Sequence, residues 1–343
     1  MDQVCSSLEV KSHVRFLQQF HRRRRREPAD VDLTDRADFT QAYITAIVAC
    51  RSCGLICRNP RPTAEAITGA YSQDRYGHEH LRSEFTLQRK WATSKVRSLA
   101  SRLHIRSGMT PRVVEVGSFV GGFLAAGHAQ GWDMVGVDPG KEVTAFCRDQ
   151  GLNVFCGTLV EAPVPPHTVD AVTIWNTFDQ VPHPDSTLAS ARKILHQQGI
   201  LVIRVPNGAC FHRMMSWQKR LSGPVKGWLS AALAWNNLLG FPYLYGYTVH
   251  TLDELLSRHG FARVAAYPDT LMTLTNHEST WWAEWEERAV KWSCQAASHL
   301  ETLWNGSGFH LAPWLDIYYR VTQAVPDTTL TVSRESPERT RRG

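Results

Sequence analysis

From Arg112 onward the apolar positions follow two alternating periods. Short unbroken apolar runs predict strands over 112–116, 133–137, 153–156, 169–175 and 199–206, and amphipathic spacing predicts helices over 122–130, 141–150 and 186–196. Continuously apolar strands separated by amphipathic helices predict a parallel sheet covered on both faces. The rhythm breaks over 207–247, where Met214, Met215, Trp217, Trp228, Trp235, Phe241, Tyr243, Tyr245 and Tyr247 are mixed with glycine and proline. That stretch reads as an insertion roofing a ligand pocket, because ligand sites are concave and lined with aromatic residues. A membrane-surface segment is the alternative reading. The pattern then resumes with a capping box at Thr251 and Glu254, a helix to His259 and a strand over 262–267. Trp281, Trp285, Ala289, Trp292, Ala296 and Leu300 recur every three or four positions, which predicts one long helix whose tryptophans are packing residues of a core or an interface. Residues 315–321 form a last predicted strand, antiparallel to 262–267.

Upstream the periodicity is weaker. Residues 1–40 read as a loosely ordered lead-in with one helix near Val14–Phe20, and Tyr43–Ala49 as a short strand. Thr63 is an expected N-cap for a helix over 64–71, and a helix over 84–103 carries Trp91, Lys95 and Leu99 as a lid or brace beside the sheet. The expected organisation is a basic, cysteine-containing module (1–62), a helical linker or lid (63–111), an α/β domain (112–325, with 207–247 as roof and the helix 280–304 as a packing element) and a disordered polar tail (326–343).

With 343 residues, 43% of them hydrophobic and 20% charged, the composition is that of an ordinary globular chain. No apolar run is long enough to span a bilayer and the start does not resemble a signal peptide, so a cytoplasmic protein is expected. The formal charge of +6 comes mostly from residues 1–62 and largely from Arg22–Arg26. That run reads as a solvated, mobile charge block; no aromatic residue is interleaved as single-strand binders require, so it is no argument for a nucleic-acid partner. Of the eight cysteines, the isolated ones read as small buried hydrophobes in a reducing compartment. Cys50 and Cys53, followed by Gly54, form a metal-binding knuckle. It supplies two ligands where a structural zinc takes four, with Cys5, His13, His21 or Cys57 as candidates for the others. Bound zinc and a decayed ribbon held by packing are both open.

The chemistry concentrates in Val113–Phe123, a strand running through Glu115-Val116-Gly117-Ser118-Phe119-Val120-Gly121-Gly122 into a helix. Such a glycine-cornered turn cradles a nucleotide-like ligand at the end of a parallel sheet. Asp138, closing the next apolar run, suits the two hydroxyls of a ribose. A dinucleotide site needs glycine at the position that Phe119 occupies, so that backbone can approach a pyrophosphate. Glu115 would repel a pyrophosphate but suits a cationic ligand without phosphate, such as S-adenosylmethionine.

On these residues the chain resembles the Rossmann-like (class I) S-adenosylmethionine-dependent methyltransferases. Glu115–Gly121 matches the E-x-G-x-G-x-G loop except at Phe119, Asp138 matches the acid after the second strand, and Ala191–Gly199 resembles the R-x-L-x-P-G-G segment with Gln197 and Gln198 replacing Pro and Gly. Cys50–Leu55 and Asn59–Pro62 are similar to the zinc-ribbon lead-in of a bacterial small-molecule branch. The resemblance implies an α/β, doubly wound, mostly parallel seven-stranded sheet with helices on both faces, a small N-terminal cysteine module and helical insertions. It implies that Glu115, Gly117, Ser118, Gly121 and Gly122 surround the methionyl part of the cofactor, that Phe119 covers it, and that Asp138 holds the ribose. Gly157 and Thr158 then face the adenine, where relatives often have an acid, and Trp175, Asn176 and Phe178 lie under the sulfonium.

Methyl transfer needs alignment of donor and acceptor and exclusion of water. A hydroxyl acceptor can use a base. Many relatives have Glu-His after the fourth strand, where this chain has Asp179-Gln180, which leaves Asp179 and His183 as candidates. The expected partner is a small-molecule methyl acceptor of sugar, quinone or natural-product type. An RNA or protein methyltransferase and a non-catalytic binding module of the same fold are the alternatives. The oligomeric state is not encoded in these patterns.

Overall fold

The computed structural model describes residues 1–26, 44–72, 76–103, 109–276, 278–306 and 309–322. The acidic segment Asp30–Asp38 and the tail from 326 lie outside them. The predicted alternation is present as β4 (Arg112–Val116), α4 (Gly122–His128), β5 (Asp133–Asp138), α5 (Lys141–Asp149), β6 (Val154–Cys156), β7 (Val169–Trp175), α6 (Pro184–Ile194) and β8 (Leu195–Pro206), which follow α2 (Ala64–Ser72) and, given below, β1–β3, α1 and α3. After the 207–247 stretch come α9 (Val249–Arg258), β10 (Phe261–Asp269), α10 (Trp281–Asn305) and β11 (Trp314–Val321). Seven strands form one sheet in the order β10-β11-β8-β7-β4-β5-β6. The five from β8 to β6 are parallel, and β11 runs antiparallel to both β8 and β10.

Side-chain alternation along the strands divides the core in two. Val114, Val116, Val172, Ile174, Leu201 and Ile203 pack with α6 and α9. Val113, Met134, Ala171 and Val202 pack with α4 and with α3 (His78–Ala100), through Ala92, Val96 and Leu99. Gly122 makes the α3–α4 crossing close: a Cβ there would stand 2.4 Å from Gln88 Cβ and 2.7 Å from the Arg89 backbone nitrogen.

The amino-terminal segment is more ordered than its sequence predicts. β1 (Asp2–Cys5) and α1 (Ser7–Arg22) are separated by Ser6, which forms a reciprocal capping box with Glu9. β1, β2 (Ala46–Ala49) and β3 (Ile56–Asn59) join β9 (Tyr245–Gly246) in a four-stranded sheet, so the 1–62 module is welded to the end of the insertion. Nor is the arginine run a free charge block. Arg24 pairs with Glu286 at 2.5 Å and lies over the Phe20 ring, and the Arg26 amide donates to Glu278 O at 2.8 Å, tying α1 to the start of α10.

Three further expectations are corrected or narrowed. The helix after the insertion starts at Thr248, whose hydroxyl exchanges bonds with Thr251, and not at Thr251 with Glu254. The buried face of α10 carries Ala283, Glu287, Val290, Cys294 and Ser298, while Trp281, Trp285 and Trp292 are exposed at 72%, 66% and 73%. The tryptophan stripe thus faces outward. At the cysteine knuckle, the Cys53 and Ser52 amides do turn to the Cys50 sulfur and hold that thiol below its ordinary value. Among the described residues, however, no three His, Cys, Asp or Glu side chains gather as a metal site requires, so zinc finds no support. Cys5, Cys147, Cys210 and Cys294 are buried thiols, as expected. Among the described residues no helix is long and apolar enough to cross a membrane.

Candidate active site

A cavity of about 250 Å³ lies where β4, β5, β6 and β7 end, under α3 and the segments that follow α8 (Gly223–Trp235) and β10. Its floor is the turn from Val116 to Phe119. Gly117 has φ 72° and a Cβ there would meet Thr177 Oγ1 at 2.4 Å, so only glycine fits. Phe119 also has a positive φ, 45°, at the position where the resemblance calls for glycine. A phenylalanine pays for that geometry with backbone strain of about 1–2 kcal/mol. Packing offsets it: the ring meets Tyr76 edge-on, with centroids 5.4 Å apart, beside a cluster formed by Leu81, Val120, Val143 and Phe146.

Asp138 accepts hydrogen bonds from the Phe119 amide at 2.8 Å and the Gly140 amide at 2.9 Å. Those bonds fix the carboxylate at the cavity wall. Glu115 is only 4% exposed, and its Oε2 has no hydrogen-bond partner; the Ser118 hydroxyl and Trp175 Nε1 are likewise buried without one. Burial, reinforced by the Asp138 carboxylate, pushes the Glu115 carboxyl well above its usual range, while the Leu124 amide pulls the other way. A buried carboxyl with an unused oxygen in the lining is suited to a cationic ligand group that would pair with it. Among the described residues the ionisable groups of acid and base type in the lining are Glu84, Glu115 and Asp138, with no Lys, Arg or His. The donor set therefore fits a ligand that is positive or neutral and carries no phosphate.

Of the residues the sequence nominates, Glu115, Gly117, Ser118, Phe119, Asp138, Gly157, Thr158, Trp175 and Asn176 all line this cavity. Gly121, Gly122 and Phe178 do not: Gly121 takes φ 75° to cap α4, Gly122 serves the α3 crossing, and Phe178 is fully buried, stacked on Tyr247. Thr158 gives its amide and hydroxyl to Glu161 at 2.8 and 2.7 Å, so an acid absent at 158 sits three residues on and holds the loop. Neither Asp179 nor His183 belongs to the lining. Asp179 is 0% exposed in the one-turn helix Phe178–Gln180 and its main-chain carbonyl accepts from Leu244 N. His183 precedes α6 and lies in a second, more open cleft with Arg61, Glu254 and Arg258.

Gln180, where relatives have histidine, does line the cavity and is bonded to the Tyr71 hydroxyl and, at 3.0 Å, to Asn176 O. Sequence reasoning missed several other walls. Glu84, Gln88 and Trp91 come from one face of α3, following the i, i+4, i+7 spacing of a helix. Asn237 and Tyr243 come from the insertion, and Leu271, Met272 and Trp314 from the other side.

This far wall rests on buried charge. Arg204, 0% exposed, lies 3.2 Å from Asp269 and 3.1 Å from Asp316, and Lys95 lies 2.7 Å from Asp269 and 2.5 Å from Asp316. Arg204 also reaches Asn176 Oδ1 and Thr270 O, and lies beneath Trp91 and Trp314, 5.2 and 4.5 Å from their ring centres. The loop after it is clamped by Glu287, which accepts from the Leu274 and Thr275 amides, and by Lys291, which donates to Met272 O.

The methyltransferase-domain family matches residues 84–312, a span that holds every strand of the seven-stranded sheet except β11 and most of the lining. No curated protein sequence matches the chain. Solved structures similar to it include a chain of the Haloferax volcanii complex between the Trm112 methyltransferase activator and a methyltransferase (16% identity, 76% of this chain and 99% of that one, TM-score 0.46). An S-adenosylmethionine-dependent methyltransferase from Archaeoglobus fulgidus is similar at 16% identity over 68% and 94% of the two chains, TM-score 0.44. One from Thermotoga maritima is similar at 16% identity over 69% and 91%, TM-score 0.41.

Proposed function

The chain belongs to the class I S-adenosylmethionine-dependent methyltransferases, and on that premise we propose that it methylates a small, phosphate-free acceptor with an apolar or aromatic body. The observation that carries this reading is the lining: among the described residues its charged groups are acids only, and the rest is dominated by Tyr71, Trp91, Trp175, Tyr243 and Trp314. S-adenosylmethionine, when bound, supplies a methyl group activated by positive sulfur. Glu115 would pair with a cationic group of that cofactor, Asp138 would accept from its ribose, and Gly157 and Thr158 would face its base.

The chain's own contribution to transfer is alignment. Asn176, held in a left-handed turn with φ 59° by Arg204, and Gln180, held by Tyr71, would orient the acceptor, while Trp91, Tyr243 and Trp314 exclude water. Asp179 and His183 act in this reading on the scaffold, since neither reaches the lining. Proximity then supplies most of the rate, without a histidine base.

Turnover with methyl-labelled cofactor tests this on acceptor pairs that differ by one phosphate. Hydroxylated aromatic acceptors are expected to exceed their phosphate esters by at least about tenfold in kcat/KM, because a like charge opposite Glu115 and Asp138 is costly. A preference for the phosphorylated member, or for RNA, would overturn it.

A further inference from the structure

Two helices of the insertion, α7 (Gly208–Arg220) and α8, form a hairpin with unlike ends. At the base, residues 229–235 of α8 are all buried, and the chain continues from there to Asn237 and Tyr243 in the cavity. At the tip, residues 219–228 are exposed without interruption. The exposed apolar side chains there are Trp217, Leu221, Val225 and Trp228, at 36%, 37%, 57% and 45%. Such side chains gathered at a protruding turn mark a docking surface.

Charge identifies what docks. Between Asn207 and Leu252 the sequence contains no Asp or Glu, but it carries Arg213, Lys219, Arg220 and Lys226. Lys219 is anchored beside α1, 3.0 Å from Glu9 and 2.9 Å from Val4 O. Arg213 lies 5.2 Å from the Trp217 ring centre. Tryptophan beside arginine and lysine, with no acid in the segment, is the composition that seats a helix in the headgroup layer of a membrane, where the indole is half apolar and half wet and the cations meet lipid phosphates. The outward tryptophans of α10 differ, because Glu284 and Arg288 flank them with opposite charge.

We propose that the α7–α8 tip docks the protein on an anionic bilayer surface, Trp217, Leu221, Val225 and Trp228 entering the headgroup boundary and Arg213, Arg220 and Lys226 meeting its phosphates. The docking stands independently of methyl transfer. It agrees with the apolar and aromatic side chains Leu271, Met272 and Trp314 in the lining, since a hairpin seated on a membrane holds the adjoining cavity next to lipid-soluble molecules.

Cosedimentation of the full chain with phosphatidylcholine vesicles, with and without phosphatidylserine, tests the proposal. Binding is expected on the anionic vesicles, to fall with salt, and to be weak on phosphatidylcholine alone. Arg220→Glu/Lys226→Glu should lower the partition coefficient by about tenfold or more, at roughly fivefold for each basic residue removed from the surface. Trp217→Ala/Trp228→Ala should lower it on the anionic vesicles at every salt concentration. Both variants should keep native circular dichroism and cofactor affinity, as neither pair lines the cavity. Equal binding to neutral vesicles, no binding, or binding unchanged in both variants would overturn the proposal. So would a concentration-dependent dimer, in sedimentation velocity without lipid, that the same variants abolish, because the tip would then belong to a second copy.

Discussion

At the scale of single residues, Glu115 and Phe119 set the character of the site. Glu115 is held at the wall by strand β4, and its raised folded-state value makes a definite pH prediction. A carboxyl whose folded value lies above its unfolded one contributes stability that is fully present below the unfolded value and lost as pH rises through the folded one. The unliganded protein should therefore lose stability relative to Glu115→Gln as pH climbs above the ordinary carboxylate range, measured by chemical denaturation of both. A cationic ligand favours the ionised form, so cofactor binding should release a proton from the wild type and not from the variant, read by calorimetry in buffers of different ionisation enthalpy. Proton release that is the same in both would remove Glu115 from the ligand's cationic group. The sequence makes this residue legible because a carboxylate two positions before Gly117 is unusual in an otherwise apolar strand. It does not show how Phe119 survives at a glycine position. That depends on Tyr76 and Phe146, which come from α3's lead-in and from α5 and whose contact no local pattern encodes.

Among the elements, the alternating strands and helices of 112–206 were readable because each carries its own period. The cavity walls outside that stretch were less so. Glu84, Gln88 and Trp91 sit on a helix legible only as a brace, and Leu271, Met272 and Trp314 lie in segments whose contact with the cavity depends on β11 entering the sheet between β8 and β10. The cysteine knuckle and the arginine run show the reverse case. Their local chemistry was visible, but their use depends on partners far along the chain, β9 for the small sheet and Glu286 for Arg24. The buried group of Arg204, Lys95, Asp269 and Asp316 couples four elements, joining α3, β8, β10 and β11. Arg204→Met leaves two carboxylates opposite one lysine. Removing one partner of a buried ion group costs about 3–5 kcal/mol, so urea unfolding should show a loss of that order. A loss below about 1 kcal/mol would mean that the cluster is well hydrated and does not support the far wall.

Across the whole molecule, the two sides of the cavity have different origins. One is built by the sheet ends and carries Glu115 and Asp138, while the other is assembled from α3, the insertion and the loop braced by α10. Binding of the cofactor is the claim on which the rest depends, and calorimetric titration of the purified chain with S-adenosylmethionine, S-adenosylhomocysteine and NAD tests it most directly. Both adenosyl ligands should bind at one per chain, NAD should not, and Asp138→Ala should weaken the adenosyl ligands by about 1–3 kcal/mol, the cost of losing a charged hydrogen-bond acceptor. Binding of NAD in preference to S-adenosylmethionine, or no heat with either adenosyl ligand from a chain shown to be folded, would contradict the account.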